Sequence, residues 1–344
     1  MSEPTSFGRK GKVPSAPPPG RDRPTPAARM RPGKEPAPLT TRIGLVGCGR
    51  WGALILRDLS TLGCSVTVAA RNEESRERAL AGGASVVGEL AALPGDLAGY
   101  VVATPTVTHG DIVLRLLPRE RPVFVEKPLT ADLASARRIA EQGRDRVFVM
   151  EKWRYHPGIE ALGALARSGE LGPPAKLVTS RLQWGYNHAD VDPIWILLPH
   201  DLGIAREILG RLPPPRMAVA ERSADGTVTG MLAVLGDNVA LQCDISTRRP
   251  RYFRSIELIC RDGMAALDDG YADHIRLVRH DGDPTTHALP EERRPVPTEL
   301  PLYRELAAFV GFCNGGPAPK STAADGLAAV ETILALRTLA GIAD

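Results

Sequence analysis

Residues 43–59, IGLVGCGRWGALILRDL, decide how this chain folds. A β-branched apolar run ends in Gly47-Cys48-Gly49-Arg50-Trp51-Gly52, and a helical-looking segment, GALILRDLSTLG, follows at once. In a G-x-G-x-x-G set between a strand and a helix, the first glycine allows a tight turn. The second lets the backbone approach a pyrophosphate, and the third lets helix and strand pack closely. The helix that opens there presents its N-terminal N–H groups to phosphate. Gly47, Cys48, Gly49, Arg50, Trp51 and Gly52 are therefore the expected dinucleotide-binding turn, against the plainer reading of an unrelated glycine turn.

The next run, SVTVAA at 65–70, completes a βαβ unit. About twenty residues after the turn, where an NAD site carries Asp or Glu for the ribose, the chain reads Ala70-Arg71-Asn72. The missing carboxylate removes both a 2′-hydroxyl partner and the repulsion toward a phosphate, while Arg71 offers a planar donor fork. NADP is favoured, with NAD possible. The alternative is that Arg71 faces solvent or stacks on adenine with either cofactor.

Further strands are expected at SVVG (85–88), YVVAT (100–104), VFVEK (123–127) and VFVM (147–150), with helices between several of them. That alternation predicts a Rossmann-type doubly wound parallel sheet, α/β in class, with both faces covered. Beyond residue 150 the period changes. A helix near 157–168 and another beginning at Pro199-His200-Asp201 precede the runs KLVTSRLQW, PRMAVAER, VTGMLAVL, VALQCDIST, YFRSIELIC and HIRLVRH. Asp-Gly and Gly-Asp pairs mark their turns as hairpins, and helices near 301–313 and 322–340 close the chain. This half is expected to be α+β, with a large, open-faced, mostly antiparallel sheet.

A chain of 344 residues with 43% hydrophobic content accommodates two cores. The expected division is a tail over 1–40, a dinucleotide-binding domain over 41–152 and a substrate and oligomerisation domain over 153–344. The tail holds ten prolines and an excess of Lys and Arg. It has too few large apolar residues to offset its ordering entropy, so disorder is expected there. Five scattered cysteines without a Cys-x-x-Cys pair argue against a disulfide framework or zinc site. No metal is expected. No apolar run approaches the roughly 18 residues of a membrane span. A soluble, cytoplasmic protein with no membrane or nucleic-acid partner is the reading.

Three more motifs stand in register with the glycine turn: Ala103-Thr104-Pro105-Thr106-Val107-Thr108-His109, Glu126-Lys127-Pro128 and Trp153-Arg154-Tyr155-His156-Pro157. Together they resemble the Gfo/Idh/MocA family, oxidoreductases of sugars, inositols and sugar nucleotides related to glucose-fructose oxidoreductase, from about residue 41 to the C-terminus. The resemblance implies a Rossmann domain followed by an open-faced sheet used in homodimer or homotetramer contacts. It also implies that Thr104, Pro105, His109, Glu126 and Lys127 line the cofactor. Both segments end parallel strands, where open α/β sheets bind ligands. There Lys127 is placed to donate a proton to an oxygen on the reacting carbon; the plainer reading, a surface lysine before a proline turn, is disfavoured by its neighbours.

The family places an aspartate four residues before the histidine of its Pro-His-Asp segment. Ile196 stands at that position here. An imidazole without that acid, among apolar neighbours, should resist protonation. Lys127 and His200 are the acid/base candidates, with Lys127 the favoured proton source. Arg154, Tyr155, Asp192, Trp195 and His200 are the substrate-binding candidates. Asp190 and Asp192 are possible replacement acids or simple turn formers, and Trp195 is a core residue or a platform for a sugar face. Arg248, Arg249, Arg251 and Arg254 either grip a nucleotide diphosphate or lie in solvent. The reading is an NADP-preferring oxidoreductase acting on a carbonyl or carbinol of a sugar, sugar nucleotide or polyol. Its rivals are an imine or keto reductase on the same scaffold and a non-catalytic dinucleotide-binding sensor or partner subunit.

Overall fold

The computed structural model describes residues 40–186, 190–283, 285–286 and 288–342, so the expected tail lies outside them except for Thr40. In the first half, β1 (Arg42–Val46), α1 (Arg50–Thr61), β2 (Ser65–Ala69), α2 (Glu73–Ala81) and β3 (Ser85–Val87) alternate. They are followed by β4 (Gly99–Val102), α3 (His109–Leu116), β5 (Val123–Glu126), α4 (Leu133–Gly143) and β6 (Val147–Met150). The six strands are parallel, in the order β3-β2-β1-β4-β5-β6. Every residue of β4 and β6 is buried, as strands covered on both faces require. The order reverses between β1 and β4, which opens a crevice beyond their carboxyl ends.

The second half contains α5 (Pro157–Ser168), β7 (Pro174–Trp184), α6 (Pro193–Leu209), β8 (Pro215–Arg222), β9 (Val228–Leu235) and β10 (Ala240–Ser246). β11 (Arg248–Cys260), β12 (Gly263–Leu267), β13 (His274–Arg279) and β14 (Glu291–Pro295) complete an eight-stranded sheet in the order β14-β13-β12-β11-β7-β10-β9-β8. All its pairs are antiparallel except β7 with β10. Helices α5 and α6 cover one face. On the other, the register aligns Val219, Leu232, Asp244, Ser180 and Ser255 in one row across the strands, and Val219 and Leu232 are exposed. β12 and β14 escaped sequence reading because GMAAL and EERRP lack a β-branched apolar run.

α7 (Pro301–Cys313) and α8 (Ala323–Leu339) return from the second half. Chain order put α7 with the substrate domain, but it packs on the first sheet. Phe309 stacks on Phe124 with centroids 4.9 Å apart, and Phe312 meets Phe148 edge-on. Gly99 permits this approach, since a Cβ there would lie 2.7 Å from Cys313 Sγ.

α6 also departs from expectation. Asp192 accepts from the Ile194 N–H at 2.9 Å and Pro193 occupies the first turn, so the helix starts at Pro193 rather than Pro199. Pro199 lies inside it, unable to donate to the carbonyl one turn back. His200 therefore projects from a helix interior and not from a helix start.

Candidate active site

The crevice is a groove of about 1110 Å³, lined by the glycine-rich turn, Ala70, Arg71, Thr104, Pro105 and Asp190 among others. Gly47 has φ +89°, and a Cβ there would meet the Ala103 carbonyl at 2.6 Å. A Cβ on Gly52 would lie 2.6 Å from the Gly47 carbonyl, whereas Gly49 faces open space. The turn is thus closed on its protein side and clear on its groove side, as a pyrophosphate against the α1 N-terminus requires. Cys48 is buried, and Arg50 and Trp51 line the groove. A dinucleotide fits: its phosphates would approach the backbone at Gly49, while Gly47 and Gly52 let the turn close against the protein.

At the ribose end Ala70 is buried and Arg71 is exposed on the groove wall. Asn72 is committed to capping α2, accepting from the Ser75 N–H at 2.8 Å. Arg78, paired with Glu74, and Arg115, 3.5 Å from Asp111, line the same groove together with those carboxylates.

Beyond β4, Thr104 and Pro105 reach the groove, but His109 does not. It is 1% exposed, with Nδ1 2.9 Å from the Pro128 carbonyl and Nε2 2.9 Å from the Thr104 carbonyl. Burial holds its pKa down despite these contacts. A neutral ring donates to only one of the two carbonyls, and its position clamps the β4 and β5 turns together. His109 thus sets the walls of the site without lining it.

Two strand-end lysines, with Glu126 and His200, are not among the residues that line this groove. Lys127 follows β5, and its Nζ donates to the Ile196 carbonyl at 2.9 Å. That carbonyl belongs to the α6 turn disturbed by Pro199. Burial brings the Lys127 pKa down to about 8, with Lys152 and Arg181 adding repulsion while Glu126 and Asp190 oppose them. Lys152, beyond β6, lies 4.7 Å over the Trp51 ring. Burial raises the Glu126 carboxyl above its usual range against the pull of both lysines. His200 is held well below its ordinary pKa, first by burial and then by Lys127, Arg181, Lys152 and Arg254. Its buried Nδ1 has no partner among the described residues. A neutral imidazole and an ammonium that titrates near neutrality make an acceptor beside a donor, the pairing needed to move one proton at a carbonyl oxygen.

Four substrate-binding candidates have other employment. Arg154 donates to the Lys320 carbonyl at 2.7 Å and lies 3.4 Å from Glu207. Tyr155 Oη accepts from the Lys320 N–H at 2.7 Å. Asp192 caps α6 and pairs with Arg337, and Trp195 is 5% exposed beneath the same arginine. Such partners bind elements together, and these side chains, like those of Lys127 and His200, are not among the residues that line the groove. The basic cluster divides: Arg248, Arg249 and Arg251 are exposed, while Arg254 is buried and donates to the Leu182 carbonyl at 2.8 Å. Sequence reading missed Lys152, Arg181 and Glu305. Lys152 had a signal, since it follows β6 as Lys127 follows β5.

Among the described residues, no helix is long and apolar enough to cross a membrane. Residues 41–149 match the Gfo/Idh/MocA family model, described as an oxidoreductase family with an NAD-binding Rossmann fold. It is similar to inositol 2-dehydrogenase 1 of Paenarthrobacter aurescens strain TC1, 34% identical over 144 residues, which are 39% of this chain and 43% of that protein. The match thus spans less than half of that relative. A putative oxidoreductase from Magnetospirillum magnetotacticum MS-1 is 26% identical, with a TM-score of 0.71 over 86% of this chain and 99% of its own. A UDP-N-acetylglucosamine 3-dehydrogenase from Acidithiobacillus ferrooxidans shares the fold, with a TM-score of 0.75 at 19% identity over 88% of this chain and 98% of its own.

Proposed function

We propose that this protein is an NADP-preferring oxidoreductase acting on a carbonyl or carbinol carbon of a sugar, sugar nucleotide or polyol. The observation that carries the reading is Lys127 at the end of β5, whose Nζ donates at 2.9 Å to the Ile196 carbonyl, one helical turn before His200, and whose pKa burial brings down to about 8. A bound dinucleotide supplies or accepts the hydride. The chain orients both reactants and manages the proton. In reduction, Lys127 Nζ gives its proton to the oxygen of the reacting carbonyl while His200 accepts a hydrogen bond and fixes the substrate. In oxidation, neutral Lys127 takes the carbinol proton. Arg71 and the absence of a carboxylate at Ala70 support the NADP preference.

The exposed Val219 and Leu232 support a homodimer or homotetramer joined through the open sheet face. Five unpaired cysteines suit a reducing compartment, the cytoplasm. One observation favours the non-catalytic sensor: Ile196, which supplies no carboxylate. The test is to incubate the protein with NADPH or NADP and a panel of keto sugars and polyols, following nicotinamide absorbance. Turnover of any member supports the enzyme. Tight dinucleotide binding with no turnover across the panel supports the sensor.

A further inference from the structure

We propose that Asp190, from the second half of the chain, binds the ribose hydroxyls of the nicotinamide-side nucleoside of the dinucleotide. This rests on the oxidoreductase reading and adds to it a cofactor-binding residue from outside the dinucleotide-binding domain.

Among the described residues, the groove is lined by the chain between Val46 and Arg115 with one exception, Asp190, which stands shortly before α6. One contact fixes its place: Oδ2 accepts from the Val107 N–H at 3.4 Å. Val107 belongs to a single turn, Thr106–Thr108, that follows β4 and Pro105. Thr108 Oγ1 closes that turn, 2.8 Å from Thr104 Oγ1 and 2.7 Å from the Pro105 carbonyl. The strand order β2-β1-β4 puts the glycine turn, which follows β1, between Arg71 after β2 and this turn after β4. Asp190 and Arg71 therefore stand at opposite ends of the groove.

A dinucleotide whose pyrophosphate approaches Gly49 sends one nucleoside toward β2 and the other toward β4. With the adenosine ribose at Arg71, the nicotinamide nucleoside falls on the β4 side, beside Asp190. Its ribose presents two neighbouring hydroxyls, both donors. A carboxylate has two oxygens and about four acceptor positions, so it takes a hydroxyl pair and keeps the Val107 N–H. Hydroxyl-to-carboxylate bonds are among the stronger ones, and a 3.4 Å contact is long enough to be loosened at little cost. Asp192 cannot serve, because its cap on Ile194 at 2.9 Å and its pair with Arg337 hold it at α6. Asp190 lies two residues before that cap, and α6 carries the Ile196 carbonyl that receives Lys127. The contact would therefore join the cofactor to the helix that bears His200 and anchors the proton-donating lysine.

The test titrates the full chain calorimetrically with NADP and NAD, and with the halves that lack the nicotinamide nucleoside, adenosine 2′,5′-bisphosphate and ADP. Asp190→Ala should weaken both whole dinucleotides roughly tenfold or more, the size of a lost bond to a charged group, and leave both halves within about twofold. Retained binding of the halves also shows that the variant is folded. Oxidised and reduced forms should lose alike, since their hydroxyls are the same. An NAD analogue without the 2′-hydroxyl on the nicotinamide-side ribose should bind the unaltered protein more weakly than NAD. It should bind Asp190→Ala as NAD does, the non-additivity of two changes to one contact. Asp190→Asn, which keeps one acceptor oxygen, should fall between. Equal losses for wholes and halves would make Asp190 a structural tie to Val107. No loss for either would place it outside the cofactor site, and a loss confined to the oxidised forms would assign it to the ring charge. Each of these three results overturns the proposal and leaves the oxidoreductase reading standing. Failure of the unaltered protein to bind either dinucleotide would remove that reading itself, and the proposal with it.

Discussion

Lys127 Nζ donates to the main-chain carbonyl of Ile196 at 2.9 Å. The contact joins the end of β5 to the interior of α6 and uses only the backbone of the residue whose side chain lacks the expected acid. The lysine is thus held through the backbone of position 196, while the Ile196 side chain packs in the hydrophobic core. Lys127→Met should lower turnover by roughly 10²–10⁴-fold, the range of a lost general acid, with dinucleotide affinity changed by no more than about threefold. His200→Asn, which keeps a hydrogen-bonding group, should cost far less. Steady-state kinetics with fluorescence titration of NADPH would check both, and equal losses would remove Lys127 as the proton source.

The pH profile follows from the lysine alone. Lys127 holds its proton below about 8, so kcat/KM for reduction should fall as pH rises through that value. For oxidation, which needs the free amine, it should rise there. His200 stays neutral because its pKa is displaced downward, so neither profile should show a histidine inflection near pH 6.5. An inflection there that vanishes in His200→Asn would contradict this.

Ile196→Asp places a carboxylate one helical turn before His200, within reach along the same face. It should raise the pKa of both Lys127 and His200, moving the reduction limb upward by about one pH unit. A profile unchanged in the variant would mean that the side chain at 196 turns away from both.

Arg71→Ala should narrow the preference for NADPH over NADH by about tenfold, through weaker NADPH binding with NADH little altered. Loss of a single charge-assisted contact to phosphate has that size. Paired titrations decide it, and equal affinities in the unaltered protein would remove its basis.

Gly52→Ala tests the turn itself. The added methyl would lie 2.6 Å from the Gly47 carbonyl, so α1 must shift from β1. Stability should fall by about 1–3 kcal/mol, with a larger proportional loss of dinucleotide affinity. Gly49→Ala, whose Cβ meets nothing in the protein, should keep stability and lose affinity.

The first domain was legible because its signals are local: β-branched strands, a glycine turn at fixed spacing and strand ends that announce Thr104, Lys127 and the groove. What sequence hid depends on partners far along the chain. Arg154 looks like a site residue until Glu207 and Lys320 arrive to occupy it, and Trp195 looks like a platform until Arg337 covers it. The start of α6 was misplaced because Pro199 resembles a first-turn proline, although Asp192-Pro193 carries the stronger cap. Arg181 and Glu305 gave no pattern at all, since single charges in strands and helices ordinarily face water.

The return of α7 to the first sheet has a consequence for synthesis. A ribosome that has released residues up to 150 has supplied all six strands of the dinucleotide-binding sheet, yet Phe124 and Phe148 still lack Phe309 and Phe312. α1 and α2 already cover part of that face, but the apolar surface at Phe124 and Phe148 stays open while the whole eight-stranded sheet is being made. A nascent chain in this state is a client for chaperones, and the domain translated first is the one whose core is sealed last.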